Sequence, residues 1–326
     1  MKNFIKRINI HLIFFATILL IILIAVLRIV KWNNSGTLVT TENEYAHLFD
    51  VETLDSYVPY VPADDYVEDG ITNIAFFGNA PFANDMGTPE NLAEMIGVAA
   101  DANVYNFSFA DSYCAAESAV LSYDNKDILS SYWLTTIFTL ENDIIVDNMY
   151  ASDLTLTAEE QATLSSLQNM DFNNIDIITI MYDASDYYAV HGMYNRDDST
   201  NITHFVGALE ASISLIKEAY PHIQIIVLSP TYAYALDDDG NYIDSIITRY
   251  GEEGPLCDYI HYQSESVYKM LCSYVDNFYG SVNVNNADDY LEDHITLNQT
   301  GKELVTARFM EAFDYYTYYK EKYLAE

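Results

Sequence analysis

From residue 71 onward the chain alternates near-continuous apolar runs with stretches of helical period. The runs at 71–77, 103–109, 175–181 and 222–228, with a shorter one at 274–276, read as near-continuous apolar strands, the mark of a parallel sheet covered on both faces; 175–181 is β-branched and reads as buried on both sides. Between them, Thr88-Pro89-Glu90 opens a helix to about Ala100, with threonine as cap and proline in the first turn. A longer helical region is expected from Ser112 to Leu167 and includes the helix start Thr157-Ala158-Glu159-Glu160. Phe205, Leu209, Ile213 and Ile216 give 203–220 a helical period, and further helices are expected over 258–271 and 298–318. Strand and helix in alternation predict an α/β domain over 71–326. It is a three-layer, flavodoxin-like arrangement with about five parallel strands, whose site lies beyond their carboxyl ends.

Ahead of this domain the pattern changes. An aliphatic run covers 10–30, flanked by Lys2, Lys6 and Arg7 on one side and by Arg28 and Lys31 on the other. Roughly 20 apolar residues span a bilayer, whereas a signal-peptide core is about 7–15. No small-x-small cleavage pattern follows at 27–32, so a transmembrane anchor is expected at 10–30 after a short basic N-terminus at 1–9. Residues 31–70 are polar and acidic, with Asn33-Asn34-Ser35-Gly36 near the start and Pro59 and Pro62 near the end, and read as a juxtamembrane linker.

Charge supports this order. Five of the 14 basic residues lie in the first 31, where no acid occurs, so nine face 49 acids in the remainder. The basic flanks favour a cytoplasmic N-terminus and an extracytoplasmic domain on a single-pass anchor. A field this acidic repels phosphate backbones, which argues against nucleic-acid binding. Cys114, Cys257 and Cys272 have no metal-like spacing and allow at most one disulfide; Cys114 and Cys272 read as small core residues. The 29 tyrosines are spread along the whole chain and read as amphipathic packing.

Four blocks at the expected strand ends carry the candidate chemistry. The first is Phe77-Gly78-Asn79-Ala80 after the first strand, the second Asn106-Phe107-Ser108-Phe109-Ala110-Asp111, and the third Asp183-Ala184-Ser185-Asp186. The fourth is Asp293-His294-Ile295-Thr296-Leu297-Asn298-Gln299-Thr300-Gly301, ahead of the closing helix. Taken in this order they resemble the blocks of the SGNH (GDSL-type) hydrolases over about 71–318, with the last block close to Asp-x-x-His-Leu-Asn-x-x-Gly. The resemblance implies an esterase-like fold in which a serine attacks and a histidine, held by an aspartate, takes its proton. It also shows departures. Ala80 stands where the nucleophile belongs, Ser108 at the oxyanion-hole glycine and Ser185 at the oxyanion-hole asparagine. Thr296 replaces the histidine, although Asp186 and Asp293 are kept.

Nucleophilic catalysis needs a hydroxyl or thiol beside a base, with donors aimed at the developing oxyanion. Ser112 or Ser108 as a displaced nucleophile, with His294 as base, would be the rescue. His191, His204, His222 and His261 fall outside the motif positions and read as surface or capping residues. Asp183, Asp186 and Asp293 offer oxygen ligands suited to Ca²⁺, or else brace loops; no cofactor is implied. Three functions stay open. One is a binding or accessory protein of the cell envelope, contacting a surface glycan or a membrane O-acyltransferase. The others are an active esterase or O-acyltransferase on cell-surface polysaccharide and a non-catalytic structural protein.

Overall fold

The computed structural model describes residues 53–60, 70–123, 126–140, 143–152 and 154–324. The expected anchor at 10–30, the basic N-terminus and most of the linker lie outside the described residues. Among the described residues, no helix is long and apolar enough to cross a membrane.

The apolar runs become β1 (Asn73–Gly78), β2 (Asn103–Asn106), β3 (Ile177–Met181), β4 (Gln224–Leu228) and β7 (Ser273–Val275). A two-residue hairpin, β5 (Ala235–Leu236) with β6 (Tyr242–Ile243), intervenes before β7. In chain order the helices are α1 (Ala80–Ala83), α2 (Leu92–Ala100), α3 (Ser131–Thr139), α4 (Asp143–Ala151) and α5 (Ala158–Asn169). They continue as α6 (Ser185–Tyr188), α7 (Phe205–Ala219), α8 (Leu256–Lys269), α9 (Ala287–Tyr290) and α10 (Gln299–Leu324). The five main strands form one parallel sheet in the order β2-β1-β3-β4-β7. Every residue of β1 and β3 is buried, as the unbroken apolar runs require. Helices pack as α2 against α10, and as α3 and α8 against α7. The crossover β1–α2–β2 runs along the sheet in the opposite direction to β3–α7–β4. With right-handed connections the two therefore cover opposite faces, which gives the three layers.

Several expectations shift for local reasons. Helix α2 starts at Leu92, not Thr88, because Asn91 is its cap and accepts from the Glu94 amide at 3.2 Å. The Asn91 side chain is itself tied to the carbonyls of Phe82 and Asn84 at 2.6 and 2.8 Å. The long helical region expected over 112–167 is, among the described residues, helical only from α3 onward, apart from a short 3₁₀ turn before it; residues 107–123 hold no α-helix. Thr157 does open α5, through a capping box with Glu160.

The packed domain also reaches back into the segment expected as linker. Ser56 pairs antiparallel with Tyr274 on the outer edge of β7, at 3.1 and 2.7 Å. The Leu54 amide donates to Asp276 at 2.9 Å, and Arg308 on α10 holds Asp55. Residues 53–60 thus cover an otherwise open sheet edge. Gly78 is required where β1 meets β3: a β-carbon there would lie 1.9 Å from the Met181 carbonyl oxygen. The need there is for close backbone approach. Gly78→Ala should therefore cost about 2 kcal/mol or more, a fall in Tm of roughly 4–8 °C, measured by thermal unfolding. An unchanged Tm would mean that the strand ends are not so closely packed.

Candidate functional site

The carboxyl ends of β1 and β3 bring the first and third blocks together. Asn79 follows β1 and is fully buried, and Asp183 follows β3. The Asn79 Nδ2 donates to Asp183 Oδ1 at 2.7 Å, and the Asp183 amide donates to Asn79 Oδ1 at 2.9 Å. The two residues clasp the strand ends reciprocally. The Ser185 amide also donates to Asp183 Oδ1 at 2.9 Å. Burial pushes the Asp183 carboxyl above the usual carboxylate range, although donors from Ser185 and Asn79 work the other way.

Ala80 opens α1 immediately after this clasp, so the position that the resemblance gives to the nucleophile carries only a methyl group. Ser112 does not replace it. Its hydroxyl is buried and donates to the Phe109 carbonyl at 2.8 Å, with the Gly78 carbonyl at 3.4 Å. No hydrogen bond joins it to His294. That imidazole lies edge-on to the ring of Tyr188 at 5.2 Å, with Tyr242 at 6.1 Å. Ser108 is buried, and its amide, which the resemblance places at an oxyanion hole, donates to Asn106 Oδ1 at 3.2 Å. That N–H is engaged in a local bond.

In the fourth block Asp293 orients Thr296 in place of a base. Its Oδ1 accepts from the amides of Ile295 and Thr296 at 2.8 and 2.7 Å, and its Oδ2 from the Thr296 hydroxyl at 3.0 Å. Partial burial works to raise the Asp293 carboxyl, but these three donors and His294 outweigh it and hold the group below its ordinary value. His294 Nδ1 is 3.9 Å from Asp293, beyond a hydrogen bond. Between these blocks, bounded by Ala80, Asn84, Asp183, Thr296 and Lys302, the free volume is about 10 Å³. That is room for no more than one water.

Asp186 belongs to a separate arrangement. Its oxygens accept from the amides of Cys114 and Ala115, each at 2.9 Å, and its Oδ1 lies 2.8 Å from His191 Nδ1. The carboxylate fixes the loop after the second block. His191, expected as a surface or capping residue, is instead largely buried in this pair, with Glu117 at 3.9 Å and the ring of Tyr113 edge-on at 4.7 Å. Burial opposes its protonation, but the bond and charge of Asp186, with Glu117 and Asp127, hold the imidazole above its ordinary value. The spacing of five residues gives no sequence signal for such a pair. The three candidate Ca²⁺ ligands are thus committed to different partners. Among the described residues, no group of three or more His, Cys, Asp or Glu side chains is placed to hold a metal ion. Cys114, Cys257 and Cys272 are free thiols, and burial pushes each of them up.

No protein-family model matches the chain, and no curated protein does. Solved structures do. A protein from Lactobacillus plantarum is 12% identical, with a TM-score of 0.52 over 75% of this chain and 97% of that one. What is shared is the fold. A proposed GDSL-like lipase from Parabacteroides merdae is 15% identical over 78% of this chain and 100% of its own, with a TM-score of 0.45. A proposed SGNH hydrolase from Slackia heliotrinireducens is 12% identical over 74% and 99%, with a TM-score of 0.41.

The polar bonds of the fourth block make a pH-dependent contribution. The folded-state Asp293 carboxyl titrates below its unfolded value of about 3.9. Its stabilisation is therefore present at neutral pH and lost as pH falls through the folded value. Asp293→Asn should lower Tm at pH 7, and the gap from wild type should close below about pH 4. A gap of equal size at both pH values would mean that charge on Asp293 contributes nothing.

Proposed function

We propose that this chain is a membrane-anchored, extracytoplasmic SGNH/GDSL-type domain without ordinary hydrolase chemistry, acting as a binding or accessory protein of the cell envelope. The observation that carries this reading is the polar closure of the site. Ala80 supplies no attacking atom, Thr296 occupies the partner position of Asp293, and the remaining volume admits about one water. An acyl transfer needs nucleophile, base and oxyanion donors together, and loss of triad members costs on the order of 10⁶ in turnover.

The second reading, an esterase or O-acyltransferase acting on surface polysaccharide, requires Ser112 and His294 to meet. Ser112 is engaged with the Phe109 carbonyl, and His294 is packed against tyrosine. A serine at position 80 would still face an Asp293 already bonded to Thr296 and a Ser108 amide donated to Asn106. The apolar run at 10–30 and the acidic remainder support the anchored, outward-facing topology.

Full-length protein in detergent should hydrolyse p-nitrophenyl acetate no faster than buffer, and Ser112→Ala should change nothing. Turnover that disappears in Ser112→Ala would restore the enzyme reading. For location, protease added to intact cells should digest the domain while leaving a cytoplasmic control protein whole. Digestion only after lysis would place the domain inside and overturn the topology.

A further inference from the structure

A groove of about 630 Å³ runs between α2 and α10 and shares no lining residue with the closed site. Its lining is mostly apolar, with Pro89, Met95 and Val98 on one side and Thr306 on the other, and it carries Glu94 and Glu303. A second depression of about 430 Å³ adjoins it through Glu94 and Val98 and adds Asp101 beside the exposed edge strand β2. Val98 is 83% exposed, although it lines both depressions. Such a volume accommodates several apolar side chains.

The charge around the groove has one sign. Among the described residues, no lysine or arginine lines either depression. The nearest cation in sequence, Lys302, is buried and turned to Asp85 at 2.6 Å and to the Glu90 carbonyl at 3.1 Å. Glu303 accepts only from Gln299, at 3.2 Å. Among the described residues, Glu94, Asp101 and Glu303 take part in no ion pair. Their field is uncompensated, so an occupant with an apolar ridge and cationic flanks complements it. A furrow between two packed helices matches the ridge that a third helix presents at i, i+3, i+4 and i+7.

We propose that this groove binds a basic amphipathic helix of a partner protein, with leucine-like side chains over Val98 and Met95 and lysine or arginine against Glu94, Asp101 and Glu303. The test separates this from general attraction to an acidic protein. Full-length protein in zwitterionic nanodiscs, with empty nanodiscs as background, is titrated into a fluorescein-labelled Leu/Lys amphipathic 14-residue peptide and followed by anisotropy. Val98→Asp keeps or raises the negative charge but removes the apolar contact, and an exposed position tolerates it.

The expected results are saturable binding to wild type, a roughly tenfold or greater loss in Val98→Asp, and a weaker, less salt-dependent interaction in Glu94→Gln/Glu303→Gln. A Leu/Glu peptide of the same spacing should not bind. Binding to Val98→Asp as tight as to wild type would show a charge effect alone and overturn the proposal. So would equal binding of the Leu/Glu peptide. Concentration-dependent self-association of wild type that Val98→Asp abolishes would assign the groove to a second copy of the chain, and would overturn it too.

Discussion

The reciprocal bond between Asn79 and Asp183 governs the end of the sheet at which such folds place their chemistry. It satisfies a buried carboxyl and a buried amide at the same time, and it locks the ends of β1 and β3 where Gly78 has already brought the backbones into contact. A carboxylate in this setting is tolerated because donors from Ser185 and Asn79 partly offset its burial. Asparagine suits position 79 because its amide both donates and accepts in this bond. An aspartate there would set two carboxyl groups at hydrogen-bonding distance and force one of them to stay protonated.

Around this clasp the polar groups of the second and fourth blocks are bonded to local partners. Thr296 satisfies Asp293, Asn106 takes the Ser108 amide, and Phe109 takes the Ser112 hydroxyl. These bonds are mutually compatible and leave almost no cavity, so the site is consistent as a packed scaffold. Buried polar groups that form one satisfied set in this way resist change one at a time.

Apart from the strand-end site, the described residues form a larger concave surface in the groove between α2 and α10. Helix α10 serves both regions. Its first turn carries Gly301, whose missing side chain allows close approach to the Tyr290 carbonyl, and Lys302, which pins Asp85. Further along, Arg308 ties residues 53–60 to the outer edge of β7 through Asp55. One helix thus links the closed site, the groove and the segment by which the domain connects to the N-terminal part of the chain.

The parallel α/β fold was legible in the residues themselves, because strands buried on both faces must be apolar throughout and their period cannot be mistaken for an amphipathic helix. The four blocks were legible too, as were the methyl group at Ala80 and the hydroxyl at Thr296, since the atoms a residue carries need no structure to be seen. The choice of partners was not legible. Asn79 meets Asp183 across 104 residues, and Leu54 meets Asp276 across 222. Asp186 reaches back 72 residues to the Cys114 amide, and its partner His191 lies against Tyr113 and Glu117 of the same loop. Sequence sets the chemical groups each position can offer and the local period that makes strands and helices. Only the packing of distant strand ends decides which of those groups bond to one another and whether any space is left between them.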